Sequence, residues 1–75
     1  MNANDLAQSF LNRTPIPGVL FEHNDFVHVV SGPNAGTSGS LVTVLSLTPE
    51  PEFLVELETG FDVTVLQSQV IHAKP

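Results

Sequence analysis

The sequence predicts a mainly β domain: a small, strongly bent five-stranded antiparallel barrel preceded by one short α-helix. Three observations lead there. The chain has 75 residues, enough for one core only. From Val19 onward, short runs of alternating apolar and polar residues recur between Gly- and Pro-rich breaks. Ahead of them, Ala3, Leu6, Ala7, Phe10 and Leu11 follow the i, i+3, i+4, i+7, i+8 spacing of one helical face.

The elements follow in order. Asn2 is placed to cap the helix, and Asp5 in the first turn suits its dipole. Two to three turns should end near Asn12, because Pro15 and Pro17 forbid continuation and favour an extended linker through Gly18. So short a helix is marginal alone in water, so its apolar face must dock on its own domain or on another chain. Residues 1–18 are thus read as helix and linker, and 19–75 as the barrel. Asp25 to Val30 alternates, with Val27 and Val29 on one face and Phe26 and His28 on the other. The turn-rich stretch 31–39 separates this strand from a second, Leu41 to Leu47. Pro49 and Pro51 break that strand, since proline donates no ladder hydrogen bond. Phe53 to Leu57 is the third strand, with Phe53, Val55 and Leu57 inward. A tight turn, 58–61, leads to the fourth, Asp62 to Leu66, with Val63 and Val65 inward. Gln67–Gln69 is a polar link of one 3₁₀ turn, and Val70 to Ala73 a fifth strand expected to pair with the first. Five strands are too few for a good two-sheet sandwich and suit a small barrel.

Composition excludes several functions. Hydrophobic residues make up 41% of the chain and charged residues 13%, which is too apolar and weakly charged for a disordered tail. With no cysteine there is no disulfide framework, thiolate zinc site or thiol nucleophile. Eight acidic residues against Arg13 and Lys74 give a net charge of −6, so nucleic acid is an unfavoured partner. No apolar run approaches the ~20 residues of a membrane helix, and the first 13 residues lack the pattern of a secretory signal, so a cytoplasmic location is expected.

One segment carries a more specific pattern. Asn24-Asp25-x-Val27-x-Val29, followed by Ser31-Gly32-x-x-x-Gly36-x-x-Gly39-x-Leu41-x-x-Val44, resembles a KOW motif. Such motifs occur in NusG-type transcription elongation and antitermination factors and in a ribosomal large-subunit protein. Gly32-Pro33-x-Ala35 resembles the elongation-factor form of the loop, and Asp62-Val63-Thr64-Val65 with Ser68-Gln69-Val70 resembles the closing strands. The resemblance spans about residues 22–73 and implies an SH3-like barrel in which Gly32, Gly36 and Gly39 are structural. RNA-binding members carry Lys or Arg in this loop; here Pro33, Asn34, Ala35, Thr37 and Ser38 are uncharged. Members that bind a ribosomal protein carry loop aromatics, and Asn34, Thr37 and Ser38 are not aromatic. Neither activity transfers residue by residue.

His23, His28 and His72 lack metal-ligand spacing and are read as surface residues. Asp25 beside His23 or His28, with Ser31, Ser38 and Ser40 nearby, sketches a triad on paper, but so small a barrel offers no deep pocket to exclude water. No catalytic residue and no cofactor is assigned. Glu50, Glu52, Glu56, Glu58 and Asp62 crowd the second half, as a solvated face or as a docking face for a basic partner. Phe26 should project outward, either covered by Leu6, Phe10 and Leu11 or exposed; Phe61 sits at a turn tip. The expectation is a small non-catalytic protein-interaction module. Its contact surface would comprise Phe26, His28, Pro33, Asn34, Thr37, Ser38 and Phe61, with the sheet edges open to an extended peptide. An RNA- or ribosome-associated accessory protein and a homo-oligomer are the alternative readings.

Overall fold

The computed structural model describes residues 2–74, without the side chain of Ala3, so the predicted place of Ala3 on the helical face lies outside the described residues. The chain runs α1 (Ala3–Leu11), β1 (Phe26–Val29), β2 (Ser38–Ser46), β3 (Glu52–Leu57), β4 (Asp62–Leu66), a 3₁₀ turn (Gln67–Gln69) and β5 (Val70–His72). The strands form one antiparallel sheet in the order β4-β3-β2-β1-β5. β5 pairs with β1, as expected, through Val27↔His72 and Val29↔Val70. The two outer strands β4 and β5 are not paired with each other, so the sheet is open rather than a closed hydrogen-bonded barrel.

Asn2 caps α1 by accepting the Asp5 N–H on its side chain at 2.9 Å. The helix stops at Asn12, and Arg13 turns the chain away with φ 58°. The buried stripe is narrower than the sequence spacing suggests. Leu6 and Phe10 are buried, whereas Leu11, the last helical residue, is 53% exposed. The chain leaves the helix at Arg13 and brings Ile16 into the core, leaving Leu11 outside. α1 packs chiefly over β2, and Phe10 meets the Phe53 ring of β3 at 5.8 Å.

The core gathers Leu6, Phe10 and Ile16 with the inward residues of every strand: Val27, Val29, Leu41, Val44, Phe53, Val55, Leu57, Val65 and Val70. Helix, linker and sheet therefore share one apolar interior. Alternation gives the inward set on β1, β3 and β4 as predicted, although Val63 is only half-buried because it nears the open end of its strand. β2 starts three residues earlier than predicted, because Ser38 and Ser40 pair with His28 and Phe26 although neither side chain is apolar. Its register against β3 shifts twice, between Leu41 and Thr43 and between Val44 and Ser46. Bulges of this kind bend a long strand so that it can pair on both sides of a curved sheet.

Two glycines, Gly36 in the β1–β2 loop and Gly39 in β2, are needed for different reasons. Gly36 adopts φ +92°, and the space around a would-be Cβ is open. Gly39 has no such backbone, but a Cβ there would sit 2.8 Å from the Glu56 carbonyl carbon and 2.9 Å from the Leu57 Cα. β2 approaches β3 too closely at Gly39 for any side chain.

Candidate functional site

The outer face of the sheet can be read row by row from the pairing register. One row runs Ala73–Phe26–Ser40–Glu56–Asp62, from β5 to β4. Another on the same face runs Ile71–His28–Ser38–Glu58. Val30 follows at the end of β1 with the same parity as His28. Within these rows the β5–β1 side is apolar apart from the exposed His28, β2 contributes serines, and the β3–β4 side is acidic. Val30 and Ile71 are 52% and 50% exposed, and Phe26 is half-buried.

Phe26 is not roofed by the helix. Leu6 and Phe10 pack on the inner face, while Phe26 stands on the other face with its ring edge-on to the His28 imidazole at 6.1 Å. His28 Nδ1 pairs with the Ser38 hydroxyl at 2.5 Å, fixing the ring over the β1–β2 ladder.

The predicted contact surface divides into parts. Phe26, His28 and Ser38 share the outer face. Phe61, 74% exposed, lies in the row Val27–Gly39–Leu57–Phe61 and so has the parity of the inner face, beyond the end of the core. Thr37 and Ser38 join Gly36, Leu57, Glu58 and Thr59 around a shallow groove of about 200 Å³ between the β1–β2 loop and the β3–β4 turn. Pro33 is exposed at the loop tip. Asn34 reaches across the molecule, its Nδ2 donating to the Thr64 carbonyl of β4 at 3.4 Å.

That contact changes the reading of the sheet edges. In β4 the residues 61, 63 and 65 face β3, so the backbone groups of Thr64 and Leu66 point to the free edge. Asn34 takes the Thr64 carbonyl, and the Gln69 Oε1 accepts the Leu66 N–H at 2.9 Å. The β4 edge is thus partly covered by side chains rather than open to an added strand.

The histidines also fall out differently from the sequence pairing. Asp25 meets neither His23 nor His28 but His72, 47 residues away, with Nε2 to Oδ2 at 3.2 Å. The same Asp25 oxygen accepts the Glu22 N–H at 2.7 Å, closing the turn ahead of β1. The His72 ring lies against Phe21 at 4.3 Å, and His23 Nδ1 is 2.9 Å from the Val42 carbonyl. Among the described residues there is no cluster of three or more His, Cys, Asp or Glu able to hold a metal ion.

Sequence reasoning missed a clamp made by Gln67. Its side-chain amide donates to the Gly18 carbonyl and accepts the Leu20 N–H, both at 2.9 Å, tying the linker to the turn before β5. No local pattern marks a glutamine that bonds residues 47 and 49 positions away. Glu50 makes a similar tie, accepting the Ser68 N–H at 2.8 Å; bonds from Ser68, first from its backbone and then from its side chain, hold the Glu50 carboxyl below its ordinary pKa. A cleft of about 290 Å³ opens between the end of α1 and the linker, lined by Phe10, Ile16, Val19, Leu20 and Phe21 with Arg13 and Glu22 at its polar side. The Arg13 guanidinium is already engaged, donating to the His23 carbonyl at 3.1 Å.

Comparison with protein-family models, with curated proteins and with solved structures gives no match. The KOW resemblance therefore rests on the residues quoted for it. Among the described residues no helix is long and apolar enough to cross a membrane.

Proposed function

We propose that this chain is a small non-catalytic protein-interaction module of KOW type, built as an SH3-like barrel and working in the cytoplasm. The barrel reading is supported by the way Asn34 of the β1–β2 loop bonds the free edge of β4 at Thr64, a contact between the two sides of the curved sheet. The interaction reading is carried by one observation. Phe26, Val30 and Ile71 leave an apolar strip on the outer face of β1 and β5, while the helix that had been the candidate cover is packed on the opposite face. Such a strip on a 75-residue acidic chain is a natural contact surface.

Nucleic acid fits less well. Arg13 and Lys74 are the only Lys or Arg residues, and the Arg13 guanidinium is bonded to backbone, so no cationic track follows a phosphate chain. The test compares Ile71→Ser with Phe61→Ser, both at exposed positions, for thermal stability and then for recovery of tagged-protein complexes from cell extract. Loss of the same complexes in Ile71→Ser, with stability intact and Phe61→Ser unaffected, supports the outer face. Unchanged recovery with Ile71→Ser, or RNA as the recovered component, refutes the reading.

A further inference from the structure

The outer face carries two chemistries side by side. The apolar residues Phe26, Val30 and Ile71 lie on β1 and β5 around the exposed His28. Glu56, Glu58 and Asp62 lie on or beside β3 and β4, in the same rows. Two strand spacings separate β1 from β3, which is about 10 Å. That is about the diameter of an α-helix with its side chains, and within reach of a Lys or Arg stem leaving the flank of a segment seated on the strip. Between the two zones stand only Ser38 and Ser40, which are small and uncharged and present no barrier. No Lys or Arg of this chain belongs to either row, so the carboxylates face outward without an intramolecular cation there.

A second copy of the chain would bring a second acidic zone to this face, and an anionic membrane or a nucleic acid would be repelled by it. From this charge arrangement we infer that the occupant of the outer face is a basic amphipathic segment of another protein. Its apolar residues seat on Phe26, Val30 and Ile71, and its Lys or Arg residues reach Glu56, Glu58 and Asp62. The inference rests on the interaction reading above and adds the chemistry of the partner. The carboxylates, being exposed, contribute more to encounter rate and orientation than to holding strength, whereas the apolar strip holds the segment in place.

The test uses the full chain and a synthetic 18-residue helical peptide with a leucine face and lysines along one flank. Three control peptides accompany it: a shuffled one of the same composition, one with glutamate for lysine, and one with glutamine for lysine. Binding is read by calorimetry and by backbone amide shifts. The amphipathic basic peptide is expected to shift the amides of Ser38, Ser40, Glu56 and Ile71 and to bind at least about 10-fold more tightly than the glutamate peptide. Ile71→Ser and the double variant Glu56→Gln/Glu58→Gln should each weaken it by about 3- to 10-fold. Only the double variant should flatten the dependence on salt. Melting curves check that both variants stay folded; should Ile71→Ser lose stability, Ile71→Thr replaces it. If the glutamine peptide binds equally well at the same amides, the outer face stands as an interaction surface and the basic partner is overturned. If the shuffled peptide binds as tightly, or the shifts map to the cleft between α1 and the linker, the surface itself is overturned.

Discussion

Replacing Gly39 by alanine should be more damaging than replacing Gly36, although only Gly36 has a backbone that disfavours other residues. At Gly39 the added methyl meets backbone, 2.8 Å from the Glu56 carbonyl carbon and 2.9 Å from the Leu57 Cα. Ordinary carbon contacts lie at about 3.5–4.0 Å, so β2 and β3 must part by something near 1 Å where their ladder is formed. Overpacking costs about 1–3 kcal/mol, and a backbone neighbour that cannot swing aside puts Gly39→Ala toward the upper end. At Gly36 the space is open and φ is +92°, so the cost is conformational alone. It is about 1–2 kcal/mol for L-alanine, partly offset by about 0.4–1 kcal/mol of lost freedom in the unfolded chain. Gly36→Val adds the stiffness of a β-branched residue and should cost about 1–3 kcal/mol. A chain of this length is stable by about 4–11 kcal/mol, so Gly39→Ala removes a large share. Urea unfolding gives the midpoints and slopes. A total synthesis carrying D-alanine at position 36, for which positive φ is natural, should restore or exceed wild-type stability. An unchanged midpoint for Gly39→Ala would mean that β2 and β3 do not crowd there, and equal stability of the L- and D-alanine forms would mean that positive φ at position 36 costs nothing.

Further outcomes follow from the same structure. Phe10→Ala should cost about 3–5 kcal/mol by emptying the contact with Phe53, and an unchanged melting temperature would mean that α1 is not docked in solution. Gln67→Ala removes both bonds to the linker, so hydrogen exchange at the Leu20 amide should quicken while stability falls by about 1 kcal/mol; equal protection of that amide would count against the clamp. The folded-state pKa of Glu50 is lowered, so its contribution to stability is complete above the ordinary glutamate range and disappears as pH falls through the lowered value. Glu50→Gln should therefore be less stable than wild type at pH 7 and converge with it in acid, and a constant gap across that range would exclude the Ser68 bonds as the cause.

The elements set by neighbouring residues were readable in the sequence, as was the pairing of the first strand with the last, whereas side-chain contacts between distant residues were not. The Asn2 cap, the inward Val27 and Val29, the Phe53–Val55–Leu57 stripe and the 3₁₀ turn all follow from local spacing. Leu11 sits on the correct helical spacing but is exposed, because burial depends on where Arg13 sends the chain. The Asp25–His72 pair and the Gln67 clamp join residues more than forty apart, which no periodicity announces. The cover of the β4 edge is mixed: Asn34 reaches Thr64 from thirty residues away, whereas Gln69 bonds Leu66 only three residues back. Phe61 is a different case: it precedes Val63 and Val65 at even spacing, so its separation from the outward Phe26 was legible by parity and was obscured by its place in a turn. The two-sided character of the outer face needed the register itself, since Phe26, Ser40 and Glu56 become neighbours only once three strands are aligned.

Photo-crosslinking in cells can decide whether this chain meets a protein partner through the outer face of β1 and β5. A photoreactive phenylalanine analogue is placed singly at positions 71, 61 and 20, all exposed in the folded chain. Position 71 should give a discrete protein adduct that disappears when Glu56 and Glu58 are both changed to Gln, and position 20 should give none of that mass. Adducts from position 20 or 61 with none from position 71 would place the contact elsewhere.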